Sequence, residues 1–369
     1  MTENKNPLGL RKIHHVEFYV GNAKQAAFYY RKSFGFSQIA YSGLETGNRE
    51  TTSYVLQQNR VNFVLTTPLD GNNFIAEHIK LHGDGVRDIA LHVDDADFAF
   101  NEAVKRGAKP FSEPRDISDD NGTVRHAAIH TYGDTIHSFI SYNNGNGHNY
   151  DGTFLPTFKE AKVEGDNVGV VLIDHMVGNV ELGKMNDWAN WYSDVMGFYR
   201  YITFDDEDIS TEYSALMSIV MSDDGHNVKF PINEPADGKK KSQIQEYLDF
   251  YKSAGVQHLA LLCKDIVSTV EKLQANGVEF LRVPDSYYAE IPARIGEIDE
   301  NIEDLKRLGI LVDRDEEGYL LQIFTKPVED RPTVFFEILQ RKGCKGFGKG
   351  NFKALFVSIE EEQAKRGNL

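Results

Sequence analysis

Two histidines and one glutamate stand where the pattern calls for apolar strand residues: His175 in VLIDHMV, His258 in GVQHLALL and Glu337 in TVFFEILQ. A carboxylate inside a segment as apolar as Thr333-Val-Phe-Phe-Glu-Ile-Leu339 is costly to bury unless it is paired, neutralised or bound to a metal. Two imidazoles and a carboxylate, with no thiolate, match the facial triad that holds Fe(II) and leaves three adjacent coordination positions open. Open positions of that kind suit oxygen chemistry. The three residues lie far apart in the chain, so no local motif joins them and the fold must. Two other histidine groups, His126, His130 and His137 in HAAIHTYGDTIH and His78 and His82 after Glu77, lack the HExxH spacing and read as structural.

The elements that have to position the triad repeat. Ile13-His-His-Val-Glu-Phe-Tyr-Val20 leads into AKQAAFYYRKSFGF, and Ile173-Asp-His-Met-Val177 leads into MNDWANWYSDVMGF. Val86–Val93 followed by DADFAFNEAVKRGAKPF is matched by Val256–Leu262 followed by DIVSTVEKLQANGVEF. Each unit is an apolar strand carrying polar residues, then an amphipathic helix closed by a glycine turn. β-rich runs such as TTSYVLQQNRVNFVLTT and SALMSIVMS follow, with Gly, Asn and Asp between them. The fold class is therefore α+β, with four βαβββ modules paired into two open, curved, barrel-like sheets and a helix at the C-terminus.

This duplication acts as an internal control. It sets His175 and His258 on the first strands of the third and fourth modules, and aligns His15 with His175, Asp88 with His258 and Phe139 with Glu337. Phenylalanine cannot bind a metal, so residues 1–150 are expected to form a domain without a competent site, serving fold and assembly, and residues 151–369 the catalytic domain. The Asn/Gly-rich stretch Asn143–Asn149 is the linker candidate. Pro231 and Pro235 bracket Asn233 and suggest a bent edge segment. IGEIDENIEDLKRLG reads as a charged surface helix, and the glycines around Gly348 and Gly350 as a hinge.

Composition narrows the classes. With 369 residues, 41% of them hydrophobic, the chain can bury two cores. A formal net charge of -16 repels nucleic-acid phosphate and anionic membrane surfaces. Cys263 and Cys344 are too few for a disulfide framework or a cysteine-held cluster, which suits a reducing compartment. No apolar run is long enough to span a bilayer and Met1–Pro7 has no secretory character, so a cytoplasmic protein is expected.

Longer motifs carry a resemblance. Phe230-Pro-Ile-Asn-Glu-Pro235, Lys240-Lys-Ser-Gln-Ile-Gln245, Gly318–Pro327 (GYLLQIFTKP), Asp330–Ile338 (DRPTVFFEI) and Gly346–Phe352 (GFGKGNF), with His82–Asp88 in the first half, resemble the 4-hydroxyphenylpyruvate dioxygenase family of the vicinal oxygen chelate superfamily. The resemblance implies one Fe(II) per chain on His175, His258 and Glu337. It implies a pocket with Ser218, Asn233, Gln243, Gln257 and Gln322 on its polar side, Phe324, Phe335 and Phe352 on its aromatic side, and Phe356 with the last helix as a lid. Gln243, Gln322 and Asn233 would act on the reacting substrate. Period-two alternation independently places Gln322 with Phe324, and Phe335 with Glu337, on shared strand faces. Gln257 adjoins His258, and strict alternation would turn it to the opposite face. The implied reaction takes 4-hydroxyphenylpyruvate and O2 to homogentisate and CO2 in tyrosine and phenylalanine catabolism, in a homodimer or homotetramer. Three alternatives stay open at this level: 4-hydroxymandelate synthase, an extradiol catechol dioxygenase, and a non-catalytic binding protein of the same fold.

Overall fold

A computed structural model describes residues 6–142, 149–205, 215–236 and 238–368. The linker candidate therefore lies, except for Asn149, outside the described residues. The first module runs β1 (Leu10–Tyr19), α1 (Ala23–Ser33), β2 (Ser37–Ser42), β3 (Thr51–Gln58) and β4 (Val61–Pro68). Helix α2 (Phe74–His82) connects it to the second, β5 (Gly85–Val93), α3 (Ala96–Lys105), β6 (Pro110–Asp119), β7 (Gly122–His130) and β8 (Ile136–Ser141). After β9 (Lys159–Val163) the plan repeats as β10 (Val170–Asn179), α4 (Met185–Asp194), β11 (Tyr199–Phe204), β12 (Ala215–Ser222) and β13 (Lys229–Ala236). Helix α5 (Gln243–Tyr251) leads to β14 (Gly255–Cys263), α6 (Ile266–Ala275), α7 (Ser286–Arg294), α8 (Ile302–Leu308), β15 (Leu311–Arg314), β16 (Tyr319–Phe324) and β17 (Phe335–Lys342). Helix α9 (Phe352–Lys365) closes the chain. A helix follows the first strand of each module, and α3 and α6 start on equivalent aspartate caps, Asp95 and Asp265, which accept from the third amide on.

The two sheets are copies in topology. Their orders are β6-β7-β8-β5-β1-β4-β3-β2-β9 and β11-β12-β13-β10-β14-β17-β16-β15. In each, the first strands of two modules pair antiparallel at the centre (β1 with β5, β10 with β14) and each is flanked by the last strand of its module in parallel. β9 lies past residue 150 yet pairs with β2, so sheet membership changes between Val163 and Val170.

Three expectations are corrected. Pairing fixes Ala260 opposite Glu337 and His258 opposite Phe335, while Asp88 faces Ile136 and Leu91 faces Phe139. The residue in register with Glu337 is therefore Ser138, not Phe139; a one-residue slip in the alignment exchanges the two faces of a strand. Asn233 sits on β13, an inner strand between β12 and β10 rather than an edge, and β10 pairs with it only at Ile232 and Asn233, between the two prolines that lack an N–H. Within the charged excursion α8 does form, but Leu305 and Leu308 are buried, so only one face is solvated.

The halves share a core, and this positions the site. Phe336 on β17 packs among Tyr30, Phe34 and Phe63 of the first half, with ring centroids 5.0 to 6.0 Å away. Alternation then turns its neighbours Phe335 and Glu337 to the opposite, concave face. His137 accomplishes a similar join, hydrogen-bonding the Tyr192 hydroxyl at 2.8 Å while stacking on Phe230. His82 contacts the Tyr251 carbonyl and Asp134 at the same interface.

Candidate metal centre

On the concave face of the second sheet His175, His258 and Glu337 each offer a ligand atom, all within 4.8 Å of one another. His175 Nε2 lies 3.1 Å and His258 Nε2 3.7 Å from Glu337 Oε2. All three residues are buried, with the imidazoles edge-to-face at 6.1 Å. The distance from strand to strand explains the meeting, because β14 lies between β10 and β17 and carries His258 in the middle.

The far nitrogens of both rings are engaged. His175 Nδ1 donates to Asp174 Oδ1 at 2.9 Å, and His258 Nδ1 to Gln257 Oε1 at 3.0 Å. With Nδ1 engaged as donor, Nε2 is the nitrogen of each ring turned toward Glu337, the orientation a metal ligand needs. Strict alternation would not allow adjacent residues to meet in this way. Register shifts in the β10/β14 ladder, between Ile173 and His175 and between Val177 and Gly178, supply the local bend that brings Asp174 and Gln257 round. Gln257 accordingly lines the cavity although it adjoins His258.

Electrostatics separate the two imidazoles. Burial opposes the charged form of His175, but Glu337 and Asp174 together outweigh it and raise its pKa. Burial, with His175 beside it, holds His258 well below the ordinary histidine range. Asp174 is buried as well, yet His175, Arg341 and Lys229 keep it ionised far below the usual carboxylate value.

The triad opens into a cavity of about 80 Å³. Its wall includes Ser218, Asn233, Gln243 and Gln257 together with Phe324, Phe335, Phe352 and Phe356. Ser218 and Asn233 are direct cross-strand partners, and Phe335 stacks on His258 at 4.7 Å. Gln322 is the exception among the expected residues. It shares a face with Phe324 but is 2% exposed, packs beneath Gly348, and is not among the residues that touch the cavity; its Nε2 has no hydrogen-bond partner among the described residues. Residues that the sequence did not single out complete the wall: Phe347, in edge contact with His175 at 4.9 Å, and Phe204, Leu216 and Leu355. Phe347 was within reach as the second residue of GFGKGNF, whereas the aliphatic positions carry no sequence signal separating cavity from core. A larger cleft of about 700 Å³ lies between the halves, lined by Tyr29, Asp84, Glu329 and Arg331, and contains no triad residue.

Curled βαβββ pairs around a buried His/His/Glu group define the vicinal oxygen chelate class, and residues 172–323 match the glyoxalase/bleomycin resistance protein/dioxygenase superfamily. Residues 4–155 match the N-terminal domain of hydroxyphenylpyruvate dioxygenase. The 4-hydroxyphenylpyruvate dioxygenase of Yarrowia lipolytica is 47% identical over 97% of this chain and 94% of that protein, and the one from Dictyostelium discoideum 49% identical over 96% and 99%. Among solved structures, a triply substituted 4-hydroxymandelate synthase from Streptomyces coelicolor superposes with a TM-score of 0.86 at 31% identity, covering 96% of this chain and 99% of that one. The chain belongs to the 4-hydroxyphenylpyruvate dioxygenase family, a family of enzymes. No helix among the described residues is long and apolar enough to cross a membrane.

Proposed function

We propose that the protein binds one Fe(II) through His175, His258 and Glu337 and converts 4-hydroxyphenylpyruvate and O2 to homogentisate and CO2. The convergence of three buried ligand atoms within 4.8 Å, beneath an aromatic wall, carries this reading. The donor set of two neutral imidazoles and one carboxylate, without sulfur, suits Fe(II) with positions left open. When bound there, the ion supplies chelation of the keto acid's two oxygens and activation of O2, so that no second keto acid is needed.

The chain's own residues do the rest. Asp174 and Gln257 hold the imidazoles by their Nδ1–H groups and so orient Nε2. Asn233 and Gln243 hold the phenol end of the substrate, and Ser218 and Gln257 add polar contacts; Gln322, packed beneath Gly348 outside the cavity wall, joins them when substrate binds and the wall rearranges. Phe324 and Phe352 sandwich the ring, and Phe335 closes the side next to His258. Phe356 and α9 exclude water. Phe356 and Leu355 of α9 line the cavity, so this helix acts as its lid when substrate enters.

The match to dioxygenases at 47 and 49% identity, against 31% to the mandelate synthase, favours ring hydroxylation with side-chain migration over benzylic hydroxylation. Anaerobic Fe(II) loading followed by 4-hydroxyphenylpyruvate and O2, with the product identified by mass and NMR, tests this directly. Homogentisate is expected. 4-Hydroxymandelate in its place, or catechol cleavage without consumption of the keto acid, overturns the assignment. We place the enzyme in tyrosine and phenylalanine catabolism and in the cytoplasm, where two buried free cysteines fit a reducing medium. We further propose a homodimer or homotetramer; exposed Phe28, Phe74 and Phe98, all on helices of the first half, support an interface there.

A further inference from the structure

The geometry points to Asp174 and Arg341 as a pair of positioning residues that tie the metal ligand His175 to the loop leading into the covering helix. Asp174 is 5% exposed and accepts four hydrogen bonds from charged or imidazole donors. His175 Nδ1 reaches it at 2.9 Å, Arg341 binds it through Nε and Nη2 at 2.9 Å each, and Lys229 Nζ adds a contact at 3.0 Å. A carboxylate gripped at both oxygens by a planar guanidinium has little freedom to turn, so it fixes the plane of the imidazole that bonds to it.

The third guanidinium nitrogen faces away from the triad. Arg341 Nη1 donates to the backbone oxygens of Gly346, at 2.7 Å, and Cys344, at 3.2 Å. Between these two carbonyls and α9 lies Phe347, whose ring is covered on one side by Arg341, 5.4 Å from the centroid, and by Lys229 at 5.9 Å, while meeting the His175 ring edge-on at 4.9 Å. Asp174, His175, Phe347 and Arg341 thus form a closed ring of contacts. The next residue, Gly348, has a left-handed φ of +78° and lies so close to the Gln322 amide that an added Cβ would come within 2.5 Å of it. The loop is therefore seated at both ends, and four residues later α9 begins.

The first half lacks this device. Its β1/β5 ladder shifts register at the matching place, between Ile13 and His15, but the residue there is His14, which meets His15 Nδ1 with an imidazole nitrogen at 2.7 Å rather than with a carboxylate.

The consequence is a coupling. Fixing the His175 ring by metal binding steadies Asp174, hence Arg341, hence the carbonyls of residues 344 and 346; by linkage, seating the loop improves the metal site to the same degree. This rests on the triad being the metal site, and the test separates the two. The full-length apoprotein is titrated with Fe(II) anaerobically against a competing chelator, and exchange of the backbone amides of residues 343–352 is followed with and without the metal. Wild type is expected to bind Fe(II) and to exchange these amides more slowly once loaded. Arg341→Gln is expected to lose roughly 10- to 100-fold in Fe(II) affinity, the range for an outer-shell partner, together with the metal-dependent slowing, and Arg341→Lys to recover part of both. If Arg341→Gln does not fold, Asp174→Asn/Arg341→Gln, which removes both charges at once, carries the same measurement. Unchanged affinity in these variants, or loop exchange in wild type that ignores Fe(II), overturns the coupling while leaving the triad assignment intact. Failure of wild type to bind Fe(II) overturns both.

Discussion

The two halves share one topology and spend the polar residues of their concave faces in opposite ways. In the first, the positions in register with the triad are His15, Asp88 and Ser138. Ser138 satisfies Asp88 with both its amide and its hydroxyl, His14 contacts His15, and Phe154 packs across the His15 ring at 5.3 Å. Burial pushes the Asp88 carboxyl up to about 6 and His15 down to about 3, so each group moves toward its neutral form. In the second half, the neighbours of His175 and His258 occupy only the Nδ1 sides. The Nε2 atoms and Glu337 Oε2 then face one another at 3.1 and 3.7 Å. Polar groups that neighbours satisfy pairwise make structure; groups held on one side and left open on the other make a site.

Glu337 gives the sharpest way to break that comparison. Glu337→Ala is expected to remove Fe(II) binding and to cut turnover by on the order of 1000-fold, since metal-ligand charge stabilisation is worth several kcal/mol. Metal analysis of wild type should give one Fe per chain, and retained oxygen uptake in the variant, or two Fe per chain in wild type, would end the contrast between the halves. Next come the polar wall residues. Gln243→Ala should lower kcat/KM by roughly 10- to 100-fold, about 1–3 kcal/mol of lost hydrogen bonding to bound substrate, and should raise the share of aborted products over homogentisate; unchanged rate and product ratio would remove this residue from the mechanism, and the same measurement on Gln322→Ala tests whether a residue packed outside the wall takes part. In the first half, Asp88→Ala leaves Ser138 without its buried partner and should cost about 1–3 kcal/mol of stability in denaturant melts, with Fe content unchanged. Loss of iron in that variant would mean the halves are not divided as described.

The smallest effect is on pH. Burial holds His15 at about 3 and His126 and His137 at about 4, all in the first half. The unfolded chain takes up these protons near pH 6.5, so stability is complete above that and declines as pH falls toward 4. Melting temperature should therefore drop between pH 7 and pH 4.5, with exchange of the β1, β7 and β8 amides accelerating first; a flat profile would contradict the neutral buried histidines.

Much of this was legible in residues. The repeat, the α+β architecture and the three triad positions follow from strand–helix periodicity and from a glutamate in an otherwise apolar strand, because burying an ionised group is too costly to occur without a partner. What misled was register. The pairing of Glu337 with Phe139 instead of Ser138 is a one-residue slip between β8 and β17, and the doubt over Gln257 arises from treating strands as uniformly alternating, whereas the β10/β14 ladder shifts at two points beside the site. A bulge leaves no composition signature. Arg341 was equally invisible: its partner Asp174 is distant in the chain, and a charged residue near a strand end ordinarily reads as solvated.

The sequence by itself determined which groups this protein owns for chemistry: two imidazoles and a carboxylate on repeated strands, a set of glutamines and phenylalanines nearby, and too few cysteines for any sulfur-held metal. Only the tertiary structure decided that the three ligand atoms converge within 4.8 Å, that Phe336 anchors the strand of Glu337 in the other half, and that Asp174 and Arg341 bind His175 to the loop leading into α9. The reason is physical. Residue type and period act locally and set what each segment can do, whereas convergence depends on strand order and register, which are settled by packing between segments separated by most of the chain.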